Sequence, residues 1–178
     1  MQTQSFNALP QAPNASCAAL PEGRFSGHVV FQQLVRDAFA SAAREGWPDI
    51  IISDADFHDW PLGERAVIES LNAWARNGRR FTMLACHYDE VIRRHARFVR
   101  WRGTWDHILT CRSSRSADPL LLPSIVCSPG WVLHRIDPER CIGVSTAQPQ
   151  QRTLLLELLK EWLTGKSAPG FPSTTLGL

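Results

Sequence analysis

Lysine is nearly missing from this chain. Of its 19 basic residues only Lys160 and Lys166 are lysines, both near the carboxyl end, and the rest are arginines. A motif that needs a lysine earlier in the chain is therefore missing. There is no Cys-x-x-Cys pair among Cys17, Cys86, Cys111, Cys127 and Cys141. Four of these five fall in predicted strands, where a free cysteine acts as a small apolar residue. That usage suits a reducing cytoplasm rather than a disulfide framework. The six histidines show no zinc-type spacing such as His-x-x-x-His with a third ligand. No basic segment followed by an apolar run marks a signal peptide, and no apolar stretch is long enough to cross a bilayer. Internal repeats and low-complexity tracts are absent as well. A net charge of +2 is too small to imply nucleic acid or an anionic membrane. These absences predict a cytoplasmic protein with no membrane attachment, and they argue against nucleic acid as its partner.

At 178 residues, 44% hydrophobic and 20% charged, the chain has the composition and length of one globular domain. Residues 1–27 read as an N-terminal arm, 28–165 as a single α/β domain and 166–178 as a C-terminal tail. Apolar residues at helical spacing predict a helix over 29–45, stopped by Gly46. A strand over 49–53, a helix over 62–77 and a strand over 81–86 follow, and such a run makes a right-handed parallel crossover. A third helix is expected over 88–101 and a third strand over 106–112. Ser-Pro-Gly then separates two strands, 123–127 and 131–136, as an antiparallel hairpin. A short strand over 141–145 and a closing helix over 150–163 complete the order. The expectation is an α/β fold with a mixed, mainly parallel sheet and helices on both faces. Arms and tails of this composition order only when tied down, on their own domain or on a second subunit, which points to a homo-oligomer.

Polar side chains collect just after the first two strands, and ligands of open parallel sheets bind outside the carboxyl ends of strands. The candidate cleft residues are Asp54, Asp56, His58, Asp59, His87, Arg94 and His95. Asp54-Ala-Asp56 can share a hard cation, so magnesium is the metal this pair would take. The same aspartates can instead cap turns and the next helix. Cys86-His87 pairs a thiol with a base, but adjacent strand residues face opposite ways, so burial of the thiol is the competing reading. The run Arg93–Arg102 interleaves arginine with aromatics. On a helix it puts Arg93, Arg97 and Arg100 on one face, as a solvated amphipathic helix or a phosphate-binding surface would. Seven tryptophans point first to core packing and second to an oligomer interface.

Asp54-x-Asp56 after an apolar strand resembles the opening of the haloacid-dehalogenase phosphotransferase pattern, whose later Thr or Ser, Lys and acidic pair are missing here. The element order over about residues 29–163 resembles one half of the phospholipase D-like fold. Residues 122–137 and 141–145 look like the hairpin and strand that carry that family's His-x-Lys-x4-Asp signature. The signature itself is absent. The nearest form, His95-Ala-Arg97, has Arg102 where the aspartate belongs. The chain is also similar to a small uncharacterised bacterial protein family. It shares Asp54-x-Asp56-Phe57, Asp59-Trp60-Pro61-Leu62-Gly63, Tyr88-Asp89-Glu90-Val91 and a Phe-Pro-x-Thr-Thr-Leu-Gly-Leu end over 171–178. The resemblance implies a pseudoenzyme of phospholipase D-like topology that binds a ligand or partner, a small phosphate-containing ligand among them, with no cofactor. The alternative is a metal-dependent phosphoryl-transfer or hydrolase enzyme using Asp54 and Asp56, with magnesium as its cofactor. A third reading is phosphate or single-stranded nucleic-acid binding through the Arg93–Arg102 helix.

Overall fold

The computed structural model describes residues 19–77, 79–116 and 118–171. How residues 1–18 and 172–178 are tied down, expected from their composition, lies outside the described residues. Eight strands form one sheet. They are β1 (Gly23–Ser26), β2 (Asp49–Asp54), β3 (Arg80–Ala85), β4 (Leu109–Ser114), β5 (Ser124–Cys127), β6 (Val132–Asp137), β7 (Ile142–Thr146) and β8 (Ser167–Pro169). Their order across the sheet is β1-β7-β6-β5-β2-β3-β4-β8. The five α-helices among the described residues are α1 (His28–Glu45), α2 (Arg65–Ala75), α3 (Asp89–Arg94), α4 (Ala96–Thr104) and α5 (Pro149–Gly165).

The fold is mixed α/β, but the sheet is not mainly parallel. Only β2 with β3 and β3 with β4 pair in parallel, and the other five pairings are antiparallel. The reason lies in the connections. A parallel neighbour needs a crossover of a dozen or more residues, usually a helix. Between β2 and β3 runs α2, and between β3 and β4 run α3 and α4. Between β4 and β7 the links carry only the short 3-10 turn Pro119–Leu121 and tight turns, so β5, β6 and β7 fold as an antiparallel meander against the free edge of β2.

Helices do cover both faces, as the alternation along the strands requires. Ile50 and Ile52 of β2, Phe81 and Met83 of β3, Val126 of β5 and Leu133 of β6 point to one side. There they pack with α1, α2 and α4 in the main core. Ile51, Ile125, Cys127 and Val132 point the other way and pack with Leu155, Leu156 and Leu159 of α5. Burying each such aliphatic side chain contributes roughly 1.5–3 kcal/mol. Six tryptophans (47, 60, 74, 101, 131 and 162) are buried, so core packing is their main use.

Two edge strands come from segments expected to be arm and tail. β1 pairs with β7, and β8 pairs with β4. Each is three or four residues long, and β1 buries only Phe25, too little for an alternating pattern to register. The third predicted helix is two helices. His95, at φ −116° and ψ 49°, breaks the run, and its ring turns inward so that Nε2–H donates to the Phe57 carbonyl at 2.8 Å. Gly63 makes the break possible, since a Cβ there would come within 3.2 Å of the Arg94 carbonyl oxygen and of His95 Nδ1.

Candidate functional site

The carboxyl ends of β2 and β3, where the sequence places a cleft, are filled. Residues 55–64 fold back over them and bury Phe57, Trp60 and Leu62. Ala55 accepts the backbone N–H groups of both Cys86 and His87, and Tyr88 Oη reaches the carbonyls of Met83 and Arg112. The seven predicted site residues scatter around this plug. Asp54 and His95 are buried, Asp59 is half-buried, and His58, His87 and Arg94 are exposed. Asp56 and His58 pair with each other at 2.7 Å. Arg94 pairs with Glu90 at 2.6 Å. None of the seven lines either of the two recesses described below.

Asp54 and Asp59 do converge, on a residue that the motifs do not mark. Arg135 of β6 donates from Nη2 to Asp54 Oδ2 at 2.7 Å, from Nη1 to Asp59 Oδ2 at 2.6 Å and from Nε to Ser124 Oγ at 3.0 Å. Its guanidinium lies over the Phe31 ring at 4.3 Å, a cation–π contact that favours charge in a dry site. Sheet register explains the meeting. Ser124 pairs with Arg135, and Arg135 with Gly143, which pairs with Phe25. All face the α1 side, as does Asp54 by its spacing from Ile50 and Ile52. One signal in the sequence could have found this. Leu133 and Arg135 are the inward positions of β6, and a charge at an inward position demands a buried partner.

Asp54 is occupied at both oxygens. Oδ1 accepts the N–H groups of Asp56 and Phe57, at 3.2 and 3.0 Å, and Oδ2 takes Arg135. Burial pushes its carboxyl up. The Arg135 charge and the hydrogen bonds of Ser124, Phe57 and Arg135 outweigh that and hold it below the ordinary value. Burial also opposes the charge on Arg135, and Asp54 and Asp59 reverse that, so the guanidinium stays protonated. The pair ties β6 to the end of β2, and both Asp54 oxygens are engaged by protein donors. Asp56 Oδ1 likewise accepts the His58 N–H and the His58 ring. Cys86, the thiol beside His87, is buried, and burial raises its pKa, which leaves it a poor nucleophile.

A recess lies at the opposite end of β2 and β3, on the other face. It is a groove of about 530 Å³ between α5 and the sheet. Ile51, Thr82, Cys127 and Leu156 form its apolar floor, and Lys160 stands on its rim. Asp49 and Arg80, paired across the strands at 2.6 Å, close one wall. The Cys127 thiol is pushed up to about 11 by burial, so at neutral pH it presents an uncharged apolar surface. A smaller niche of about 260 Å³ lies between α2 and α4, lined by Asn72, Arg97, Arg100 and Trp101 among others. Asn72 Oδ1 accepts the Trp105 indole N–H at 3.1 Å. Among the described residues neither Arg97 nor Arg100 pairs with a carboxylate, whereas Arg93 is held by Glu90 at 2.5 Å.

No protein-family model matches the chain, and no curated protein matches its sequence. Among solved structures it is similar to TrmBL2, described as an archaeal chromatin protein with a novel mode of DNA binding. The identity is 11% and the TM-score 0.59. The match covers 84% of this chain and 55% of that one, so this chain spans about half the length of the neighbour. At that identity the likeness speaks for the fold alone. No described helix is long and apolar enough to cross a membrane.

Proposed function

We propose that this chain is a non-catalytic α/β binding module that takes a small anionic ligand with an apolar body in the groove beneath α5. The observation that carries this is the pairing of an apolar floor with an unpaired cation. Ile51, Thr82 and Leu156 line a recess of about 530 Å³, and Lys160 has no carboxylate partner among the described residues. That volume is within the range of about 300–1,000 Å³ typical of small-molecule sites. The side chains that would carry catalysis are otherwise engaged. Asp54 is bound to Arg135, His95 to Phe57, and the described thiols are made less acidic by burial. The wider reading is a phospholipase D-like pseudoenzyme in the bacterial cytoplasm, in which the likeness rests on element order over about residues 29–163 and the loss of catalysis on the missing His-x-Lys-x4-Asp signature. Homo-oligomer formation has support in exposed Ile136, Ile142, Leu154 and Leu158. Sedimentation at micromolar concentration tests it, and a monomer would reject it.

Anilinonaphthalene sulfonate, an anion with an apolar body, is a direct probe of the groove. Its fluorescence on the folded protein should fall strongly in Leu156→Trp, which fills the groove, and its affinity should drop several-fold in Lys160→Glu. Unchanged binding in both variants, with unaltered circular dichroism, would reject the groove as the site. One observation favours a second reading: Arg97 and Arg100 in a niche with no acidic side chain. A phosphate group would meet two guanidinium groups there, and Arg97→Gln with Arg100→Gln would abolish any stabilisation by inorganic phosphate. The DNA bound by the structural neighbour adds little to this, because the net charge here is only +2.

A further inference from the structure

His28, Asp59 and Cys141 come from three separate places in the chain: the first residue of α1, the turn after β2, and the residue before β7. Their ligand atoms nevertheless lie within 4.8 Å of one another. His28 Nδ1 is 3.2 Å from Asp59 Oδ2, and Cys141 Sγ is 4.0 Å from the same oxygen. Bond lengths of about 2.0–2.3 Å from a tetrahedral zinc to nitrogen, oxygen and sulfur place ligand atoms roughly 3.3–3.8 Å apart. The two observed separations bracket that range. His28 is exposed, so its ring can make the remaining adjustment without disturbing the core.

A second observation at the same place points to a ligand. Asp59 Oδ1 is buried and accepts no hydrogen bond among the described residues. A buried carboxylate oxygen without a donor is unfavourable, so the Asp59 carboxylate has acceptor capacity to spare beside the Oδ2 that faces His28 and Cys141. The charges are also out of balance. Two carboxylates, Asp54 and Asp59, face one guanidinium, Arg135, which leaves one negative charge in a largely dry site. A dication bound through a thiolate cancels that charge. Arg135 stands beside the site as a supporting group, donating to Asp59 Oδ2 and, at 3.4 Å, to Cys141 Sγ. Hydrogen bonds of this kind orient metal ligands from behind and stabilise a thiolate.

We propose that His28, Asp59 and Cys141 form a three-ligand site for a zinc-class divalent cation, with the fourth position open to solvent on the His28 side. The mixed nitrogen, oxygen and sulfur set selects zinc over magnesium or calcium, which prefer oxygen alone. On binding, Cys141 releases its proton to solvent and its sulfur lone pair forms the bond to the metal. The cation would tie the start of α1 and the start of β7 to the turn that plugs the sheet. This site is on the α1 face and is independent of the groove beneath α5.

The test uses the full chain carrying Cys17→Ser, stripped with a chelator and titrated with cobalt as a spectroscopic stand-in for zinc. One equivalent should produce a sulfur-to-cobalt charge-transfer band in the near ultraviolet together with the visible bands of a four-coordinate ion, and zinc should displace both. Cys141→Ser should lose the charge-transfer band. His28→Ala, a change at an exposed position that leaves the core intact, should weaken cobalt affinity at least tenfold. It should also remove the rise in melting temperature that zinc gives the parent. Absence of the charge-transfer band in the parent would overturn the site. So would its survival in Cys141→Ser, or equal zinc stabilisation of His28→Ala.

Discussion

Arg135 and Asp54 lie 81 positions apart in the chain and meet at 2.7 Å, with 1% and 4% of their side chains exposed. A buried pair of this kind is weak evidence of net stability, but breaking it strands a charge. Arg135→Met should therefore cost about 3–5 kcal/mol, read from urea denaturation. A double-mutant cycle with Asp54→Asn should show strong coupling between the two. Additive losses in that cycle would mean that the cluster is not energetically linked.

Acid should act through the same carboxylate. Asp54 has a folded pKa below its ordinary 3.8, so the stability it contributes is present above that value and is lost as pH falls through the folded pKa. Asp54→Asn should be less stable at neutral pH and should lose less on acidification below about pH 4. Parallel acid limbs for the two proteins would refute this.

His95 titrates in a milder window. Burial lowers its pKa below 6.5 despite the bond to Phe57, and burial does the same to His134. The folded state thus resists protonation more than the unfolded state. Stability is complete above about pH 6.5 and declines as the pH falls toward the folded values. His95→Gln should flatten part of that decline below about pH 6.5, leaving the part due to His134. Urea midpoints at several pH values would measure it.

Thiol chemistry separates a binding protein from a cysteine enzyme. Burial raises Cys86, Cys111, Cys127 and Cys141, and Cys127 stands at about 11. In a Cys17→Ser background all four should label slowly with a disulfide reagent at about pH 8 and should react much faster in urea. One rapidly reacting thiol in the folded protein would revive the Cys86-His87 reading.

Gly143 should tolerate no side chain. A Cβ there would lie 2.3 Å from the His134 carbonyl oxygen and 2.5 Å from the Phe25 ring. Gly143→Ala should cost about 1–3 kcal/mol or more and should loosen β1, seen as faster amide exchange at Arg24 and Phe25. Unchanged exchange at β1 would contradict the register between Phe25 and Gly143.

The amino-acid sequence by itself determined the local elements. The Ile-Ile-Ile run of β2, the apolar face of α1, the Ser-Pro-Gly hairpin and the leucine-rich α5 are visible because periodicity and turn chemistry are short-range properties. The α/β class and the covering of both sheet faces follow from those elements. The strand directions did not, because they depend on which free edge β5 joins, and β5 chose β2. The aspartates after β2 were legible as polar residues at a strand end, but not as the partners of Arg135. Their partner is 81 positions from Asp54 and 76 from Asp59, and only the register of β2, β5 and β6 brings it to them. The groove beneath α5 and the His28, Asp59 and Cys141 cluster share that character. Each joins residues with no common spacing, so only the tertiary structure, through the close packing of distant segments, decided that they meet.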